Sequence, residues 1–219
     1  MTKQADTRQD AASDPALLRN LLAWYAFDGT LTDSHADHDA TTVVGAPGYG
    51  PDRAGGAAGA LLLAGETGME MSGIEIANTA FTVQMWTLNP SQWILCQGIQ
   101  EDFFGLHIGA NDIGVRCDYW GSQQIVPHLA QGGWTHWVIR QELPSGRRTI
   151  WRNGACSAPM TTAPYQGTGT FTLGRHFKGA GFYSGSLDDL AIWDRALPDA
   201  EIATLYAGGN GLTYRQKSA

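Results

Sequence analysis

Apolar residues alternate with polar ones through a series of short runs, and glycine, proline, asparagine, aspartate and serine break the runs at short spacing. That is the pattern of half-buried strands joined by tight turns. After a first strand near 22–27, runs follow at 60–63, 69–71, 81–88, 93–97, 104–108, 114–119, 124–126, 135–141, 148–152, 169–173 and 186–192. The stretch 28–59, rich in Gly, Asp, Ala and Pro, reads as irregular. In 81–88 the period of two puts Phe81, Val83 and Met85 on one face, which belongs between two sheets. Thr82, Gln84 and Trp86 take the other face, an outer one expected to receive ligand. Asn153-Gly154 suits a two-residue type I′ hairpin turn, because both central positions need positive φ.

A helical pattern is clear only near the C-terminus. Pro198 fits a first helical position, Asp199 and Glu201 put negative charge at the N-terminal end, and Ile202 and Leu205 make the buried stripe before Gly208-Gly209. The chain is therefore expected to be all-β, a two-sheet antiparallel sandwich with one short C-terminal helix. Residues 1–16 are polar without a period and are expected to form a flexible arm. The domain should span 17–212, followed by a tail at 213–219.

Composition narrows the function classes. In 219 residues, 43% are hydrophobic and 16% charged, as a single globular domain requires. The formal net charge of −7 argues against a nucleic-acid partner, and the one compact basic cluster, Arg147, Arg148 and Arg152, reads as a solvated hairpin. No apolar run approaches the ~18–20 residues of a membrane-spanning helix, so no membrane insertion is expected. The N-terminus shows no export signal. This leaves cytoplasmic synthesis followed by incorporation into a virion, or an export route that does not read the N-terminus. Cys96, Cys117 and Cys156 lack metal-ligand spacing and read as small core residues.

Catalytic patterns are missing. Glucan-cutting enzymes of sandwich type place acids at alternate positions of one strand, and no such array exists. Glu66, Glu70 and Glu75 do not alternate, while Glu101-Asp102 and Asp188-Asp189 are adjacent and would face opposite ways in a regular strand. There is no Gly-x-Ser-x-Gly elbow and no phosphate loop. His35 and His38, in an acidic loop, read as part of a solvated turn. The aromatic residues carry more. Tyr119, Trp120 and Phe103 near turns could stack on sugar rings, with Asp102, Arg116 and Gln123 bonding hydroxyls. Trp86 joins them from the outer face of its strand.

Five segments, in order, carry a resemblance. They are Leu22-Ala-Trp-Tyr-Ala-Phe-Asp-Gly, Gly56-Ala-Ala-Gly-Ala-Leu-Leu-Leu, Phe81-Thr-Val-Gln-Met-Trp, the pair Trp134-Thr-His-Trp-Val-Ile with Thr149-Ile-Trp-Arg-Asn-Gly, and Gly185-Ser-Leu-Asp-Asp-Leu-Ala-Ile-Trp-Asp-Arg-Ala-Leu-Pro. Together they resemble laminin-G-like domains of the concanavalin A-like lectin/glucanase superfamily, which implies a jelly roll. The resemblance also implies a structural Ca²⁺ between the first loop and the closing Asp pair, which carries over to Asp33 with Asp188 or Asp189. The function expected is a non-catalytic, lectin-like protein that binds glycan or another surface ligand, including as an adhesion component. The alternative is a structural protein of an assembly such as a phage virion, joined to protein partners through the N-terminal arm. A glycoside hydrolase ranks third.

Overall fold

The structure is a computed structural model, and residues 8–98, 105–119, 121–128 and 132–214 are described. The chain runs β1 (Gln9–Asp10), α1 (Pro15–Leu18), β2 (Leu21–Tyr25), β3 (Thr41–Val44), β4 (Gly48–Gly50), β5 (Ala60–Ala64) and β6 (Gly68–Met71). It continues through β7 (Phe81–Gln97), β8 (Leu106–Ala110), β9 (Gly114–Asp118), β10 (Gln124–Pro127), β11 (Thr135–Gln141) and β12 (Arg147–Arg152). It closes with β13 (Ala155–Cys156), β14 (Met160–Thr161), β15 (Phe171–Leu173), β16 (Ser184–Trp193), α2 (Asp199–Tyr206) and β17 (Leu212–Thr213).

Two antiparallel sheets face each other. The first runs β12–β11–β7–β16, with β2 and β5 end to end along the far edge of β16 and β4 beyond β5. The second runs β10–β9–β8–β7–β15–β6–β3. Strand β7 belongs to both. Its first half pairs with β11 and its second with β8, and the corner between them holds Pro90 and the positive φ of Asn89 and Gln92. The two runs read separately at 81–88 and 93–97 are thus one bent strand, since a proline and two left-handed residues turn a strand without ending it. Within 28–59, β3 (Thr-Thr-Val-Val) and β4 (Gly-Tyr-Gly) are edge strands without alternation and too short to show a period.

The expected alternation holds on the inner side. Phe81, Val83 and Met85 join Met69, Met71, Ile108, Phe171, Leu173, Leu190 and Ile192 between the sheets. The type I′ reading also holds, with φ of 49° at Asn153 and 77° at Gly154, and Arg152 opposite Ala155. Ile202 and Leu205 are the buried residues of α2, and Pro198, read as its first helical residue, stands one position earlier as the N-cap with ψ of 154°.

The outer face of the first sheet departs from expectation. Trp24, Val138, Trp151, Ala191 and Trp193 are buried there beneath Ala11, Leu17, Leu197, Ile202, Leu205 and Leu212. The polar arm read at 1–16 is therefore, from residue 8 onward, a structural part of the domain. β1 pairs with β17, Asp14 caps α1, and the Trp193 indole donates to the Leu17 carbonyl at 2.7 Å. Thr213 and Tyr214, read as tail, close the same layer. The basic hairpin is not solvated throughout: Arg148 is buried, bonded to Gln124 Oε1 at 3.3 Å and to the Ser122 carbonyl. Cys96 and Cys117 are buried as expected, but Cys156 is exposed because β13 lies at the sheet edge.

Candidate functional site on the outer face of the second sheet

The register of the second sheet places Thr41, Glu70, Thr172, Cys96, His107 and Asp118 in one row across six strands. Their neighbours along the strands, Met69, Leu95, Ile108 and Cys117, point into the core, so this row lies on the outer face. Trp93, Gly109, Arg116 and Ile125 form the adjacent row. A bulge between Trp93 and Leu95 turns the indole to this side. Gly109 makes room for it, since a Cβ there would come within 2.9 Å of the Trp93 ring. In the same way Phe177 lies over Gly105, where a Cβ would meet its ring at 2.5 Å. No helix or strand among the described residues lies over this face. The loop after β15 brings His176 and Phe177 onto it, and Trp93, His107, Arg116, Asp118, His176 and Phe177 are all half-buried.

Hydrogen bonds fix the protonation of the two imidazoles. The Lys178 amide donates to His176 Nδ1 at 3.0 Å, so the His176 proton sits on Nε2. Nε2 of His176 is 2.9 Å from Nε2 of His107, which must then accept. His107 carries its proton on Nδ1, 3.0 Å from the Asp118 carboxylate though off the line of a good hydrogen bond. Both rings are neutral in this chain. Burial first, with the nearby Lys178 charge adding to it, pushes the His176 pKa down to about 4. Trp93 packs its ring 5.3 Å from His107 and 5.4 Å from His176, and the Arg116 guanidinium lies 4.0 Å from the indole centroid. Aromatic faces, a guanidinium, a carboxylate and two imidazoles thus meet on one surface, a set suited to the apolar faces and hydroxyls of a sugar.

A laminin-G-type profile described as the concanavalin A-like lectin/glucanase superfamily matches residues 63–203, well over half of the chain. The chain belongs to this superfamily. No curated protein matches it in sequence. Among solved structures it is similar to domain 4 of AbnA, a GH43 extracellular arabinanase from Geobacillus stearothermophilus, in complex with arabinotriose. There the TM-score is 0.65 at 20% identity, over 84% of this chain and 96% of that one. It is also similar to the receptor-binding domain of botulinum neurotoxin C/D mosaic serotype, with a TM-score of 0.67 at 10% identity over 88% of this chain and 52% of that one. The binding domain of Paraclostridial Mosquitocidal Protein 1 gives 0.65 at 14% identity, over 86% and 52%. These likenesses establish a shared jelly-roll fold.

For this member of the superfamily, the residues read from sequence fall in different places. Arg116 is on the described face, and Gln123 is exposed just before β10. Trp120, Phe103 and Asp102 lie outside the described residues. Tyr119 is not a surface ring: it is 1% exposed and its hydroxyl donates to Gln141 Oε1 at 2.7 Å and sits 2.8 Å from Thr162 Oγ1. Burial pushes its pKa up. Trp86 is 3% exposed, sealed between His136, Tyr206 and Arg53 on the covered face of the first sheet. The outer face of the second sheet, where the loop after β15 covers Cys96 and Thr172 but leaves Trp93 half-buried, belongs to the other half of the same strand.

The carboxylates nominated for Ca²⁺ are engaged elsewhere. Asp33 Oδ1 accepts from the amides of Trp24 and His35 at 2.9 Å, which ties the first loop to β2. Asp188 and Asp189 do not face opposite ways. Asp189 has a φ of 46° within a bulge of β16, and both carboxylates reach Arg53, at 2.5 and 2.7 Å. Arg8 adds a second guanidinium at 3.2 and 3.0 Å and also reaches Asp52 at 3.3 Å. As they stand, Asp188 and Asp189 face the guanidinium groups of Arg53 and Arg8, and Asp33 holds backbone amides. No group of three His, Cys, Asp or Glu among the described residues is placed to hold one.

Proposed function

We propose that the protein is a non-catalytic carbohydrate-binding domain that holds a glycan against the outer face of its second sheet. The observation that carries this is the contrast between the two outer faces. The first is sealed by α1, α2 and the paired β1 and β17, and the second presents a cluster of Trp93, His107, Arg116, Asp118, His176 and Phe177. Superfamily membership and the likeness to an arabinanase domain bound to arabinotriose support the same ligand class.

The placing of acids supports a binding role over a catalytic one. Glu70 and Asp118 are the carboxylates of the outer row, and four strand spacings separate them. At ~4.8 Å per spacing that is roughly 19 Å, whereas paired glycosidase carboxylates stand ~5–9.5 Å apart.

The test is a glycan array on the whole chain, followed by titration of any hit against Trp93→Ala. Binding is expected to weaken at least tenfold, with the melting temperature lower by no more than a few degrees because the ring is half-buried. Undiminished binding by the variant would remove this face from the glycan site. A folded protein that binds no glycan would move the reading to a structural component of an assembly.

A further inference from the structure

Resting on that reading, we infer that Arg116 makes this face selective for acidic saccharides, those that carry a carboxylate or a sulfate. Every other arginine among the described residues has an acid or carbonyl within reach. Arg53, Arg140, Arg147, Arg148, Arg152, Arg175 and Arg195 donate to carboxylates or backbone carbonyls, Arg8 bridges three aspartates, and Arg19 pairs with Glu201. Arg116 donates no hydrogen bond among the described residues. Its nearest acid, Asp118, is 3.9 Å from Nε, and that nitrogen is buried without a partner.

Its position is nonetheless fixed. The Trp93 ring lies across Gly109, and the guanidinium stacks on it at 4.0 Å, which holds a planar fork of five donors in one orientation. Preorganised donors lose little further freedom on binding. Two parallel N–H groups match the two oxygens of a carboxylate or sulfate, and a hydroxyl offers only one.

The local charge permits an anion despite the protein's net charge of −7. The hydrogen-bond chain keeps His107 and His176 neutral and holds Asp118 Oδ1 against His107. Arg175 is neutralised by Glu70 at 2.7 Å. Arg116 and the exposed Lys178 therefore outnumber Asp118 at the site. At ~0.15 M salt, screening over ~8 Å leaves these near charges dominant over the acidic surface beyond.

The experiment titrates the whole chain with trigalacturonic acid, its methyl ester, a sulfated trisaccharide and a neutral arabino-oligosaccharide. The acid is expected to bind at least tenfold tighter than its ester, with a preference that shrinks as salt is raised. Arg116→Gln should abolish the preference, and Arg116→Lys should keep part of it. The sulfated probe shows which anion is preferred. Equal binding of acid and ester by the unaltered protein would overturn the inference without any variant, as would an acid preference that survives Arg116→Gln. In either case, binding of the neutral sugars would leave the glycan-binding reading standing. Binding of none of the four would sink both.

Discussion

Replacing Arg53 with alanine is expected to destabilise the domain by about 3–5 kcal/mol, the range for stripping one partner from a buried ion cluster. Arg53 meets Asp188 and Asp189 at 2.5 and 2.7 Å and also donates to the Leu212 carbonyl. Both carboxylates are fully buried. With Arg53 gone, Arg8 alone would face Asp52, Asp188 and Asp189, so uncompensated negative charge would remain out of water. Burial and the neighbouring Asp189 already hold the Asp188 pKa well above the usual carboxylate range. Urea denaturation of the variant measures the loss. The triple replacement Arg53→Met, Asp188→Asn, Asp189→Asn should regain a good part of it, because no buried charge is then left alone. A loss under about 1 kcal/mol for the single variant would mean that water reaches the cluster and that its burial is not what fastens the N-terminal segment to the sheet.

Acid should destabilise the protein through His136. The ring is fully buried, stacked on Tyr206 and tilted against Trp86, with Nε2 bonded to Gln84 Oε1 at 2.8 Å and Nδ1 without a partner. Burial, and then the Arg53 charge, lower its pKa to about 3, against ~6.5 for a free imidazole. Between these values the unfolded chain binds a proton that the folded one refuses. Stability is therefore complete above pH ~6.5 and falls as the pH drops toward 3, by on the order of 4 kcal/mol. The raised pKa of Asp188 acts in the opposite sense, since the folded state takes up that proton more readily. Comparison with His136→Gln, measured by denaturation at pH 7, 5 and 4, isolates the histidine term. The variant should lose less than the parent over that range. Parallel losses would assign the acid sensitivity to other groups.

The two predictions concern the covered sheet, and the site lies on the open one. Nothing in the local sequence separates Trp86 from Trp93, which stand on one strand seven residues apart. The difference lies in distant segments: Trp86 is covered by Tyr206 of α2 and by Arg53, and Trp93 is not. Trp93 faces outward because a bulge shifts its side, and a bulge is set by cross-strand pairing with β8. The one cue in sequence is Gly109, whose missing side chain leaves room for a ring from another strand, but a glycine does not name its partner. Tyr119 was misread for a related reason, since a residue at a strand end is buried or exposed according to which loop folds over it, here the segment holding Thr162 and Ala163.

What the sequence determined by itself is local or periodic. Alternation fixed most strands, the inner face of β7 and the Asn153-Gly154 hairpin, and the proline, acids and spaced apolar residues near 198–205 fixed α2. The ordered segments from Phe81 to Pro198 carried the superfamily resemblance, and they lie within the matched residues 63–203. The tertiary structure alone decided which outer face is sealed, that residues 8–18 belong to the core, and that Asp188 and Asp189 share one side. It also decided that Trp93, His107, Arg116, Asp118 and His176 meet. The reason is physical. A period of two reports only that a strand has two faces, and which of them meets water depends on segments more than a hundred residues away folding across it.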